Sequence, residues 1–524
     1  MSSKGSERSP VGENGQESTL TQNFEDVRIL ARGATVTLIG RISRAVLVAV
    51  TQILLARVLG KDHYGLYAVG WTFLNVGISL FPVGLQNGII RFGSVFWGRQ
   101  AARLKKIVTE GLAMSTGFGL LGAALLYLSS DFLAQNVFGD PRLVYVVRMS
   151  ALTLPLGVFL RVAAATTRIS QRVKYSAFSE DILRPALHLL LIVGMILVGL
   201  TIENVLLSLL VSYTAGVILV VYYVKRLFFD VQETSSSINS FWKMLLLFSL
   251  PIGTAGIFNL LLGRIDKLLV ASYLTAADVG VYEAMSQSSV AFSLIIGAFN
   301  AIFSPMIARL FHATEHDRLR ELYIVSTKWG VYFALPIFLV FIFVPEEIIR
   351  FVFGADFIVG KSAFMILSTA QFLNVATGAV GLLLIMTGQQ IKWMIYSMLM
   401  VVLNVVLSVM LIPSFDLAGA ALASGFAIAG VYILGLFEVR RTLDLWPYDR
   451  RYLKGLLSGI ITFGLLWLLV QAVSAGDIVM ILVLSGVSAS SFFGLLYLLG
   501  LDSEDREILG FIWGRVSRMI KPGF

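Results

Sequence analysis

Apolar runs of about 18 or more residues recur along almost the whole chain, each long enough to cross a hydrocarbon core of about 30 Å. Nothing else in the sequence constrains the fold as strongly. Inside hydrocarbon every backbone N–H and C=O must find a partner within the chain, which leaves helix bundles and closed barrels. The two-residue alternation of barrel strands is absent, and 57% hydrophobic against 14% charged residues suits helices packed in lipid. The expectation is an all-α polytopic membrane protein. Residues 1–23 differ: they are polar, rich in Ser, Gly and Glu, and read as a disordered cytoplasmic tail without a cleavable signal peptide.

Hydropathy places about fourteen spans, among them 34–60, 64–90, 182–200, 204–224, 244–272, 279–307, 392–412, 418–438, 455–474 and 478–500. A repeat organises them. Leu54–Tyr67 reads LLARVLGKDHYGLY, and Leu269–Tyr282, 215 residues later, reads LVASYLTAADVGVY. Leu54, Ala56, Leu59, Gly65 and Tyr67 fall on Leu269, Ala271, Leu274, Gly280 and Tyr282. The same offset sets Val137-Phe138-Gly139 on Val352-Phe353-Gly354, and a slightly longer one sets Gln171, Lys174 and Tyr175 on Gln389, Lys392 and Trp393. Three words in register indicate a duplicated set of spans. The polar inter-lobe linker over 225–243 follows span six, and six is even, so both lobes enter the membrane from one side as parallel repeats. The expected division is an N-lobe over 24–224 and a C-lobe over 244–438, each of six helices. Accessory spans thirteen and fourteen follow over 439–500, then an amphipathic cytoplasmic segment over 501–524.

Lys and Arg set the orientation. Alternate connections hold Arg91, Arg99, Arg103, Lys105 and Lys106, then Arg168, Arg172 and Lys174, then Lys225, Arg226 and Lys243, and the pattern continues to the C-terminus. That side carries about 28 basic residues against about six on the other, which places both termini in the cytoplasm beneath a cell membrane. Loop placement thus accounts for the net charge of +9, and nucleic acid is not an expected partner. With no Cys there is no disulfide framework, thiol catalysis or Cys metal site, and four scattered His offer no metal cluster. No P-loop, nucleophile elbow, HExxH or glycine-rich dinucleotide fingerprint stands in a soluble context, so the chain is not read as an enzyme.

The informative residues are the polar ones inside spans. An ionised side chain at mid-bilayer costs roughly 2.5–3.5 kcal/mol even on a lenient scale, so it should face a bundle interior, water or a partner. In span one, Thr37, Arg41, Arg44 and Gln52 share a helical stripe, with Arg41 about 12 Å and Arg44 about 16 Å from the span's start. Arg41 can snorkel to the surface; Arg44 is harder to dismiss. Trp71, Asn75, Ser79 and Gln86 form a second stripe, bent near Pro82. Span seven carries Asn259, Arg264, Asp266 and Lys267, and span eight carries Glu283, Ser286, Ser293 and Asn300. Asp266, Lys267 and Glu283 flank one short outer turn, where an ion pair to Glu283 from Arg264 or Lys267 would offset desolvation. Snorkelling or helix-end pairing accounts for Arg161, Asp181, Arg184 and His188, near the cytoplasmic ends of spans four and five. Arg41, Arg44, Arg161, Arg184, Arg264 and Lys267 stand against Asp181, Asp266 and Glu283. That balance suits an anion, and Arg in particular suits bidentate contact with phosphate.

The stretch LLARVLGKDHYGLYAVGWTFLNVGISLFPVGLQNGIIRF closely resembles the opening of the polysaccharide-transport, or oligosaccharide flippase, family. That family belongs to the multidrug/oligosaccharidyl-lipid/polysaccharide exporter superfamily. The resembling pattern is a small-Arg-x-Leu-Gly turn, an acidic residue, Gly-x-Tyr, and a Gly-rich second span leading to Arg91. The resemblance implies two lobes that rock about a cavity between spans one, two, seven and eight. They would carry a polyprenyl-(pyro)phosphate-linked glycan from the cytoplasmic to the outer leaflet. On that reading Arg41, Arg44 and Arg264 attract the pyrophosphate or acidic sugars, and Asn75, Gln86 and Asn300 meet sugar hydroxyls. The lipid tail stays in the bilayer. Asp266 and Glu283 are the candidates for H⁺ or Na⁺ coupling, and no other cofactor is implied. Glycosyltransferases and a polymerase of the same pathway are implied partners. The alternatives are an ion-coupled multidrug or metabolite antiporter of the same superfamily, and a membrane-embedded glycan polymerase or ligase. The last needs a sizeable outer loop, whereas the outer connections run about five to twenty residues.

Overall fold

The apolar runs fold as helices, and no strand occurs among the described residues, which in this computed structural model are 13–170, 172–229, 240–473, 475–500, 502 and 505–506. The first half comprises α1 (Glu13–Leu80), α2 (Leu85–Phe96), α3 (Ala101–Leu128), α4 (Leu143–Thr167), α5 (Arg184–Ile196) and α6 (Ile202–Phe228). The second half opens with α7 (Trp242–Leu262), α8 (Ile265–Tyr273), α9 (Ala276–His312) and α10 (His316–Phe343). It continues through α11 (Pro345–Val352), α12 (Lys361–Thr377), α13 (Val380–Met386) and α14 (Gln390–Leu443). Two further helices follow, α15 (Tyr452–Ala472) and α16 (Asp477–Leu498).

Among the described residues, ten helices are long and apolar enough to cross a membrane. The hydropathy expectation was larger, and the backbone accounts for the difference. α1 and α14 each carry two expected spans through one non-helical residue, Gly60 (φ 71°) and Asp416 (φ 48°). The expected span over 182–200 is only partly α-helical: a π-helical stretch, Ala177–Leu183, leads into the 13-residue α5. The expected span over 244–272 is interrupted between α7 and α8. At the N-terminus, α1 begins at Glu13, so residues 13–23 are helical where a disordered tail was expected. A span already formed behind them supplies the nucleus, and each added residue then costs little. Residues 1–12, the centre of the linker at 230–239 and most of the 501–524 segment lie outside the described residues.

The repeated words mark equivalent joints. Leu54–Tyr67 crosses the break of α1 at Gly60, and its counterpart crosses the junction of α8 and α9. There Thr275 caps α9: its hydroxyl accepts from the Asp278 N–H (3.3 Å) and the Asp278 carboxylate accepts from the Thr275 N–H (3.1 Å). Gly139 and Gly354, the ends of the second word, both take positive φ, 66° and 109°, which a side chain would strain. Tyr67 and Tyr282 are both buried in the core.

The first words also touch each other. A Cβ on Gly65 would lie 1.6 Å from the Ala276 carbonyl oxygen, and one on Gly280 would lie 2.2 Å from that of Lys61. Only glycine lets the backbones of α1 and α9 come so close. A second glycine contact joins the halves where α2 meets α7: a Cβ on Gly84 would lie 2.4 Å from the Ser249 carbonyl oxygen. The preceding Val83 has φ 48°, unusual for a β-branched residue.

The last two helices are fastened to the second half. Ser488 of α16 donates to the Pro336 carbonyl in α10 (3.0 Å). Lys328 of α10, fully buried, pairs with Asp505 (2.7 Å) and Asp502 (3.3 Å) just beyond α16, and Lys454 of α15 shares Asp502 (2.6 Å).

Replacing Gly65 by Leu should push α1 and α9 apart, because the obstructing atom is backbone and cannot rotate away. The chain lacks Cys, so spin labels at Lys61→Cys and Ala277→Cys report the separation directly. Gly65→Leu should move the distance distribution outward; an unchanged distribution would mean that this contact does not hold the two ends together.

Candidate functional site

Helical spacing sets Arg41, Arg44 and Gln52 on one face of α1, and the packing of α1 against α9 turns that face inward. A cavity of about 460 Å³ lies there. Arg41, Arg44 and Gln52 line it from the first segment of α1, Trp71 and Asn75 from the second, Arg264 from the break before α8, and Gln287 and Ser288 from α9. The rest of the α9 wall is apolar, with Val290, Ala291 and Leu294. A second cavity of about 310 Å³ shares Arg41, Arg44 and Asn75 and runs into the first half, toward Gln86, Arg161, Arg168 and Arg184. The shared residues make the two a single chamber with a basic recess.

Six arginines line this chamber, and Glu180 and Asp181 are the carboxylates among its lining residues. Neutral groups hold several of the cations. Arg161 donates to the Ser79 hydroxyl (2.8 Å), and Arg168 to that of Ser176 (3.1 Å). Arg184 is 3% exposed, with its guanidinium 4.9 Å from the centre of the Tyr213 ring. Such partners offset desolvation without cancelling charge. Arg44 is the exception, lying 3.4 Å from Asp181 and 3.9 Å from Glu180. Gln52 and Gln86 each keep a buried side-chain oxygen that has no hydrogen-bond partner among the described residues. An acceptor left so costs about 1–3 kcal/mol, which a donor entering the chamber would recover.

Of the residues singled out from sequence, Arg41, Arg44, Asn75, Gln86 and Arg264 line the chamber. Asn300 lines neither cavity. Asp266 and Glu283 stand apart from it, inside the second half. Glu283 is buried in an ion pair with Lys267, the pairing foreseen as the alternative to a functional role. Asp266 accepts from the Tyr282 hydroxyl (2.8 Å), the Ser424 hydroxyl (3.0 Å) and the Lys267 N–H (2.9 Å). Asn404 adds a bond to Ser424 (3.3 Å).

Surface snorkelling and helix-end pairing do not describe Arg161, Arg184 and Asp181, which all face the chamber. The wide turn of Ala177–Leu183 changes which face residues 180 and 181 present. Gly157 supplies the other cause: a Cβ there would lie 2.3 Å from Ile78, so α4 lies close against α1, and Arg161, one turn on, reaches Ser79. The spacing of Gly157 and Arg161 opposite Ser79 was the available signal. His188 is buried against Ser208 (3.1 Å) and lines neither cavity.

These helices, with a polar chamber where two similar halves meet, define a polytopic membrane transporter fold. It is similar to that of the lipid II flippase MurJ in an inward closed conformation, with a TM-score of 0.70, 14% identity, and coverage of 88% of this chain and 99% of that one. An inward-facing multidrug resistance MATE transporter is similar with a TM-score of 0.64 and 16% identity over 78% of this chain and 98% of that one. The chain belongs to the polysaccharide biosynthesis protein family, whose pattern matches residues 54–360. It is 23% identical to the succinoglycan biosynthesis transport protein ExoT of Rhizobium meliloti, over 59% of each chain. It is 25% identical to the probable low-salt glycan biosynthesis flippase Agl15 of Haloferax volcanii, over 31% of this chain and 35% of that one. The matches thus span between about a third and three-fifths of these relatives' lengths.

The Lys267–Glu283 pair should behave as a buried pair whose halves depend on each other. Lys267→Met alone should cost about 3–5 kcal/mol by stranding a carboxylate, and Lys267→Met with Glu283→Met should recover most of it. Thermal melting of the protein in detergent measures both; additive losses in the double variant would mean that the two are not coupled.

Proposed function

We propose that the protein flips a polyprenyl-(pyro)phosphate-linked oligosaccharide or polysaccharide precursor across the cell membrane, from the cytoplasmic to the outer leaflet. One observation carries this reading: a chamber among membrane-spanning helices lined by six arginines and two carboxylates. A fixed excess of positive charge there suits a phosphorylated headgroup, and guanidinium forks fit phosphate oxygens in pairs. The orphaned amide oxygens of Gln52 and Gln86 suit sugar hydroxyls, and the apolar α9 wall suits the start of a lipid tail that stays in the bilayer. The names of the two relatives, a glycan flippase and a succinoglycan transport protein, fit the same cargo class. We read the chain as a transporter without enzymatic activity, supplied and relieved by glycosyltransferases and a polymerase.

The asymmetry of Lys and Arg supports a cytoplasmic position for both termini. On that orientation the Gly65–Gly280 contact closes the outer end, and transport requires the halves to part there. Lys267 neutralises Glu283, which leaves Asp266, among neutral hydroxyls and an amide, as the preferred carboxylate for H⁺ or Na⁺ coupling. The similarity to a multidrug transporter favours a second reading, ion-coupled export of a small molecule. The sign of the chamber then requires that molecule to be an anion.

Proteoliposomes holding a fluorescent polyprenyl-diphosphate sugar test the proposal through its transbilayer movement. Arg44→Ala with Arg161→Ala should lower flux at equal protein content by at least about tenfold, since a charge-assisted bond is worth roughly 1.5–3 kcal/mol. Unchanged flux would place the headgroup elsewhere. Asp266→Asn should abolish any acceleration by an ion gradient while leaving downhill movement, and acceleration that survives would exclude Asp266 as the coupling group.

A further inference from the structure

We propose that Glu180 and Asp181 are a tethered counter-anion, which occupies Arg44 in the empty chamber and gives way to the phosphate of the cargo. The inference rests on the flippase reading and concerns how the same site loads and releases.

Both carboxylates approach one nitrogen of Arg44, Nη1, at 3.4 Å from Asp181 and 3.9 Å from Glu180. A committed charge-assisted bond measures about 2.7–2.9 Å. The chain makes such bonds where it needs them: Arg142 to Asp62 at 2.6 Å, Arg350 to Asp477 at 2.8 Å, Lys361 to Glu346 at 2.8 Å. Arg44 is held loosely by comparison. Its side chain is 42% exposed, whereas those of Asp181 and Glu180 are 11% and 20% exposed. The acids are therefore fixed in the wall, and the guanidinium projects past them into the chamber with donors to spare.

The backbone makes the arrangement adjustable. Both acids sit on the π-helical stretch Ala177–Leu183, a turn with one residue more than an α-helix can hold in register. Gly40 backs it: a Cβ there would lie 3.4 Å from the Asp181 carboxylate and 3.2 Å from the Ala177 Cβ. A short slide of that turn along α1 therefore meets no side chain at this point.

Electrostatics supplies the reason for such a device. Six arginines around a chamber without cargo repel one another, and a diphosphate that relieved the repulsion fully would leave slowly. A resident pair of carboxylates lowers the charge when cargo is absent and competes for Arg44 when it is present. Cargo binding is weakened, and release is hastened, by the same interaction. A purely structural role, in which the acids hold Arg44 in place for the phosphate, has the opposite sign: removing them would weaken binding.

Calorimetric titration of the full-length protein in detergent with farnesyl diphosphate, a soluble diphosphate carrying a short isoprenoid, separates the two. Glu180→Gln with Asp181→Asn should tighten binding by roughly two- to fivefold, the range of a partly exposed charge pair, and should slow flux of the lipid-linked sugar in vesicles. In an Arg44→Ala background the same pair of changes should give no gain. Equal or weaker binding in the double variant overturns the proposal, as does a gain that persists without Arg44. Should the double variant fail to elute as a single species, Glu180→Gln alone decides by the same sign, because Glu180 makes the longer contact. Wild-type protein that binds no diphosphate would end the flippase reading, and the counter-anion with it; wild-type binding without tightening ends the counter-anion alone.

Discussion

A charge inside hydrocarbon must be met by something, and the two halves of this chain answer that demand differently. In the second half the answer is closure. Lys267 and Glu283 neutralise each other in the packed interior, and Asp266 is saturated by two hydroxyls and an N–H. In the first half the answer is space. Arg161, Arg168 and Arg184 lean on hydroxyls and a ring face beside an open chamber, partners that stabilise a guanidinium but leave its charge standing. A net field therefore survives around the chamber, to which the second half adds Arg264.

That asymmetry is imposed on two halves that share their joints. The same word, with its glycine and tyrosine at matching places, turns the chain in each half, and the two copies then meet glycine to glycine. Duplication accounts for the joints; divergence of the buried polar residues accounts for the chemistry. The halves meet backbone to backbone at Gly65 and Gly280 and again at Gly84 and Gly253, with the chamber between α1 and α9. Around the first of these contacts Tyr64 packs edge-on against Phe357, and one apolar core runs through both halves.

How much of this was legible beforehand follows from what periodicity measures. Arg41, Arg44, Asn75 and Gln86 were readable because α-helical spacing fixes a face, and the face with charges on it has to turn inward. Arg264 was readable as a charge inside an expected span, which has to face a bundle interior, water or a partner; the break at which it stands was not. Asn300 lines neither of the two cavities, because spacing fixes a face of a helix and says nothing about depth along it. Asp181 and Arg184 read as helix-end residues because the count from a span boundary assumes one regular helix, and the π-helical turn breaks that assumption. Arg161 faces the chamber through the close approach of α4 to α1 at Gly157. The ten helices that qualify by length and composition among the described residues fall below the expected span count because α1 and α14 each hold two expected spans and two others are broken, at the π-helical stretch before α5 and between α7 and α8.

The fully buried ammonium of Lys328 bears on what moves with what. Its partners, Asp502 and Asp505, lie beyond the end of α16, and Asp502 is shared with α15 through Lys454. Detaching α15 and α16 would strand a cation in the interior of α10, so the terminal hairpin has no freedom to drift as a separate float in the bilayer. It is ballast for the second half, which carries these two helices as part of its own packed body.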